Sequence, residues 1–94
     1  MVTVKISPQF SEDLDEICNF IGKDSQFYAK EFVKKVFSMI DLIKKFPNLG
    51  RIVPEKQNSK IRELIYRTYR IIYQVKPNEI EFVTIIQGSS QLKI

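Results

Sequence analysis

Apolar and polar residues change rhythm along the chain, and each rhythm predicts an element. Val2, Val4 and Ile6 alternate with Thr3 and Lys5, the period of a short, half-buried strand. Ser7-Pro8 breaks that alternation: serine suits an N-cap, and proline suits the first helical position, where no amide is needed. Phe10, Leu14, Ile17 and Ile21 then form a helical stripe. Glu12, Asp13, Asp15 and Glu16 crowd the early turns, where they favour the helix dipole, and Gly22 is the expected stop. Asp24 or Ser25 caps a second helix with the stripe Ala29, Phe32, Val33, Val36, Phe37, Ile40 and Ile43, ended by Pro47. The phenylalanines of this helix, Phe27, Phe32 and Phe37, are expected in the core. Two amphipathic helices joined by so short a connection predict an antiparallel helical hairpin.

Residues 46–55 hold two prolines and a glycine and read as a turn-rich connector, followed by a polar loop over 56–60. Three strands are predicted after it, at about 60–66, 69–75 and 80–87. A tight turn near Tyr66–Thr68 joins the first two, and Lys76-Pro77-Asn78-Glu79 joins the last two. Tyr69, Ile71, Tyr73 and Val75 share one face of the middle strand, with Arg70, Ile72 and Gln74 on the other. Ile80–Ile86 is almost continuously apolar, as in a strand covered on both sides. The order β-α-α-β-β-β, without repeats or a domain boundary, predicts a single domain over residues 1–94. Its fold class is α+β: a mostly antiparallel sheet with the helical hairpin on one face, in two layers. No helix covers the opposite sheet face, which is expected to be open and basic, carrying Arg70 and, by parity, Lys60 with Arg62, and to need a partner.

Composition narrows the chemistry. The chain has 94 residues, one cysteine and no histidine, which argues against an internal disulfide, a zinc site or any other cofactor, and suits a reducing cytoplasm. Cys18 is expected to be a small buried hydrophobe, since no histidine is present to activate it. No leader is expected at the start, and no apolar run approaches the ~20 residues of a membrane span. The net charge of +4 is uneven: residues 1–50 carry seven basic and seven acidic side chains, and Arg51–Lys76 carries seven basic against two acidic. That stretch contains Arg51, Lys60, Arg62, Arg67 and Arg70, the candidate sites for an anion or an acidic partner. The competing reading for Arg62 and Arg70 is an ion pair with Glu63, Glu81 or Glu55.

Several segments carry a family resemblance, spread over most of the chain. They are Val4-Lys5-Ile6-Ser7-Pro8, Asp13-Leu14 with Ile17 and Phe20-Ile21, Pro47-Asn48-Leu49-Gly50-Arg51-Ile52-Val53-Pro54-Glu55, Ile61-Arg62-Glu63-Leu64, Tyr69-Arg70-Ile71-Ile72-Tyr73 and Ile85-Ile86-Gln87-Gly88. In this order the chain resembles the RelE/ParE superfamily of small toxins from bacterial type II toxin–antitoxin modules, also called plasmid stabilisation proteins. The resemblance implies an acidic, partly disordered antitoxin that folds over the toxin in a hetero-oligomer.

It leaves two targets: messenger RNA on the ribosome, cut by an endonuclease, or DNA gyrase, inhibited by protein contact alone. A metal-independent endonuclease needs a base, a cation for the phosphate and an acid for the leaving oxygen. The resemblance places Lys60, Arg62, Arg70 and Tyr73 as candidates for those roles. Beyond Gly88, however, this chain reads Ser89-Ser90-Gln91-Leu92-Lys93-Ile94, without the arginine and aromatic residue that such endonucleases supply there. Guanidinium is a poor proton shuttle, and the buried-ring reading of Tyr69 and Tyr73 is the simpler one. The favoured expectation is a gyrase inhibitor without catalytic residues, followed by an endonuclease and by a non-toxic relative that only binds antitoxin. Arg62 and Arg70 are expected to face solvent or partner, so that replacing both with alanine spares the fold.

Overall fold

The computed structural model describes residues 2–92. Its elements follow the hydrophobic rhythm: β1 (Thr3–Ile6), α1 (Pro8–Gly22), α2 (Gln26–Lys45), β2 (Arg51–Ile52), β3 (Ile61–Tyr66), β4 (Tyr69–Lys76) and β5 (Glu79–Gln87). The five strands form one sheet in the order β1-β5-β4-β3-β2, with β1 parallel to β5 and the other pairs antiparallel. The α+β class and the helical hairpin are as expected. The two-residue strand β2 is an addition: its short pairing, Arg51 with Glu63 and Ile52 with Arg62, falls inside the predicted connector.

The caps are local. Ser7 Oγ accepts from the Phe10 amide at 3.0 Å, and its hydroxyl donates to the Val83 carbonyl at 2.7 Å, fixing α1 to β5. Ser25 rather than Asp24 caps α2, accepting from the Tyr28 amide. Helix α1 begins at Pro8, so its carboxylates lie beyond the first turn. The expected dipole role passes instead to a tertiary one. Asp13 accepts from the Thr84 hydroxyl and, at 3.0 Å, from the Ile85 amide.

The core lies between the helices and one face of the sheet. Phe10, Phe32, Val36, Ile40 and Ile43 meet Tyr69, Ile71, Tyr73, Ile80, Phe82 and Ile85 there. Phe27 and Phe37 do not join it, contrary to expectation. They are 65% and 51% exposed, because five residues rotate a side chain roughly 140° around a helix from Phe32. Cys18 is only partly buried against this core, and burial, with Asp15 nearby, raises its thiol pKa.

The far face of the sheet is not open. The β4–β5 pairing shifts register between Ile72 and Tyr73, so that Ile72 opposes Thr84 and Tyr73 opposes Phe82. Val83 is the extra residue, a bulge that lets β5 present Phe82 and Ile85 to the helices and Val83 and Ile86 to the far side. There Val53 from the connector and Leu92 from the C-terminal segment cover Ile72, burying a second small cluster. The expectation of a bare basic face therefore fails: two irregular segments, neither recognisable as a sheet layer from its own sequence, cover its centre around Ile72 and leave Ile65 exposed.

Candidate functional site

The β3–β4 hairpin turns in two residues, Arg67 and Thr68, with Tyr66 opposite Tyr69. A loop of that length sets the whole register: Arg62 pairs with Tyr73 and Ile65 with Arg70. Arg62 and Arg70 therefore point to opposite faces of the sheet.

Arg70 is 5% exposed. Its Nε donates to Glu63 Oε1 at 2.6 Å, and Nη1 and Nη2 donate to the two oxygens of Glu55 at 2.9 and 2.8 Å. Nη1 also donates to the Ser90 carbonyl at 3.1 Å. Glu63, whose side chain is fully buried, takes its second cation from the neighbouring strand, where Arg51 Nε donates to Oε2 at 2.5 Å. The cluster is electrically balanced, two arginines against two glutamates. The Arg70 guanidinium has its pKa raised, first by the Glu55 hydrogen bond and, less, by Glu63. The same contact, with the Leu92 amide as second donor, holds the Glu55 carboxyl at about 2. Arg70 is thus buried and not, as expected, open to solvent: a guanidinium on the far face of the central strand is stable only with its charge paired.

Arg62 lies on the helix side and clamps the connector. Its Nε donates to Ser59 O at 2.9 Å and its Nη1 to Gly50 O at 2.8 Å. Tyr73, opposite, is completely buried; its hydroxyl donates to Pro47 O at 2.7 Å and accepts from the Gly50 amide at 2.9 Å. Burial raises the phenol pKa, so Tyr73 is held in its protonated, structural form. A double Arg62, Arg70 alanine variant would thus strip supports from both faces, against the expectation that it spares the fold.

Lys60 sits exposed in the turn before β3. Arg67 occupies the hairpin tip at a left-handed φ of 55°, with its guanidinium 5.6 Å from the Tyr66 ring centre. Six strand residues separate Lys60 from Arg67, roughly 20 Å of chain. The structure joins Arg51 to Arg70 through Glu63 and brings Arg62 near Tyr73. It does not gather Lys60, Arg62, Arg70 and Tyr73 into one constellation. Glu55 and Leu92 are the cluster members that sequence reasoning did not place together. Their only advance signal was the acid in Val53-Pro54-Glu55, already a candidate partner for Arg70. Lys93 lies outside the described residues. Among the described residues no three acidic or cysteine side chains converge to hold a metal ion, and no helix is long and apolar enough to cross a membrane.

A helical hairpin on one face of a mixed five-stranded sheet, with the long β3–β4 hairpin at its centre, defines the class: a small two-layer α+β protein. The family profile of the ParE toxin of type II toxin–antitoxin systems, parDE, matches residues 4–92. The chain belongs to that family and is the toxin component of such a system, the member that a cognate antitoxin partners. Among solved structures, one from the chromosomal ParDE toxin–antitoxin system of P. aeruginosa superposes with a TM-score of 0.73 at 20% identity, covering 93% of this chain and 96% of that one. That likeness is one of fold. A comparison with curated proteins finds no match.

Proposed function

We propose that this toxin inhibits DNA gyrase in the cytoplasm by protein binding, without a catalytic step, until its antitoxin covers it. The observation that supports this reading is the division of the four residues an RNA-cleaving site would draw on. Arg70 is paired with two carboxylates on one face; Arg62 and Tyr73 are committed to the connector's backbone on the other. Lys60 stands apart in its turn. A buried arginine that already pairs with two carboxylates cannot turn its fork to a phosphate without abandoning Glu55 or Glu63, which would leave a charge uncompensated. The cations that remain for an acidic partner are Arg51, Lys60 and Arg67 at the surface, where they steer association more than they set its strength.

The test uses purified toxin in two assays: gyrase supercoiling, and cleavage of messenger RNA on translating ribosomes. Loss of supercoiling with intact messenger is expected. Cleavage with unaffected gyrase would replace this reading by the endonuclease one. No effect in either assay, from a toxin that still binds its antitoxin, would point to a non-toxic relative.

A further inference from the structure

Strand pairing in β5 ends at Gln87, and the chain leaves the sheet through Gly88, whose amide donates to Thr68 O at 2.6 Å. Over residues 89–92 the chain takes no helix or strand. Ser90 closes a turn on Gln87 at 2.9 Å. Among the described residues, its further ties to the body are Arg70 Nη1 to the Ser90 carbonyl, the Leu92 amide to Glu55 Oε2 at 3.1 Å, and the Leu92 side chain against Val53 and Ile72. Both polar ties run through the Arg70–Glu55 pair. Glu55 is presented by a built turn rather than a loose loop: Val53 O accepts from the amides of Lys56 and Gln57, with Gln57 at a left-handed φ of 48°.

We infer that residues 89–92 form a releasable strap, clasped across the far face of the sheet by Glu55 and Arg70, and that opening the clasp uncovers an apolar strip of the still folded toxin. If the strap leaves, Arg70 keeps Glu63 and both oxygens of Glu55, so no buried charge is stranded. No β-ladder bond breaks either, because the ladder ends before the strap begins. What is given up is the seat of one leucine and two hydrogen bonds. Such a segment belongs to the low end of a protein's local opening scale, well below its global unfolding. Its departure bares Val53 and Ile72 and opens the groove along Val83 and Ile86, which lies between Pro8 and Leu92. The toxin therefore has two surface states, strapped and bare, divided by a clasp that needs the charge of Glu55. The inference rests on the fold and holds whichever target the toxin has.

Amide exchange of the full-length toxin, read by mass spectrometry, tests it on wild type and on Glu55→Gln, Glu55→Ala and Leu92→Ala variants, with an environment-sensitive apolar dye as second readout. In wild type the amides of 90–92 should exchange more slowly than free peptide. In Glu55→Gln and Leu92→Ala they should quicken by roughly tenfold or more beyond any change within β4 and β5, and in Glu55→Ala further still, with dye fluorescence rising. Three results would overturn the inference: unprotected 90–92 amides in wild type, unchanged protection in the Glu55 variants, or a gain in exchange no larger than that of the sheet. The last would make Glu55 a general stabiliser and not a clasp.

Discussion

Arg70 serves two carboxylates at once, and Glu63 beneath it has no exposed side-chain surface. Removing the arginine leaves that carboxylate with Arg51 alone, and breaking a buried pair in this way costs about 3–5 kcal/mol. Urea denaturation of Arg70→Ala should show a loss of that size. The paired replacement Arg70→Met with Glu63→Leu should recover most of it, because apolar residues of similar volume serve such a site nearly as well. A single variant as stable as wild type would show that Glu63 does not depend on its partner. Glu55 tests the same cluster through pH. Its folded pKa of about 2 lies below the ordinary 4.5, chiefly through the Arg70 hydrogen bond and then the Leu92 amide. A depressed acid pKa stabilises the fold above the unfolded value and loses that contribution as pH falls through the folded one. The difference in urea midpoint between wild type and Glu55→Gln should thus hold steady down to about pH 5 and close between about 4.5 and 2. A difference that ignores pH over that window would remove the charge from the account. The sequence exposed the candidates for this cluster, Arg70 with Glu55 and Glu63, but not which pairing holds.

Among the elements, the connector shows how much a segment without regular structure can carry. A Cβ at Gly50 would sit 2.6 Å from the Glu63 carbonyl and 2.7 Å from the Tyr73 hydroxyl. Both neighbours are fixed, one in the β3 backbone and the other between Pro47 and Gly50. Glycine is required there by close approach, since its φ is not positive. Gly50→Ala should push the connector off β3, weaken the Arg62 and Tyr73 bonds to it, and cost about 1–3 kcal/mol by thermal or chemical denaturation. An unchanged stability would mean that the connector yields freely. The helices were more legible than the connector, because their stripes and serine caps are written in neighbouring residues. Even there, only Phe32 of the three phenylalanines on α2 reached the core, since periodicity fixes an angle on the helix and not the width of the covered arc.

At the scale of the molecule, the two layers are tied at the β5 bulge. Asp13 of α1 accepts from the Thr84 hydroxyl and the Ile85 amide, so Asp13→Ala would leave that amide without its partner. A loss of about 1–3 kcal/mol is expected, measured by urea denaturation. A neutral result would make the tie incidental to a helix layer already held by Phe10 and Ser7. What the sequence by itself determined is the set of elements apart from β2, their order, the helical hairpin and the family likeness, all encoded in periodicity, caps and contiguous motifs. The tertiary structure alone decided which way the arginines face and what covers the sheet. A two-residue turn sets Arg62 and Arg70 on opposite faces, and a bulge resets the phase of β5. Two segments with no periodicity of their own, around Val53–Glu55 and Ser90–Leu92, cover the centre of the far side. Register, bulges and the burial of charge depend on contacts between residues distant in the chain, and a charge cluster such as Arg51–Glu63–Arg70–Glu55 exists only once those contacts are made.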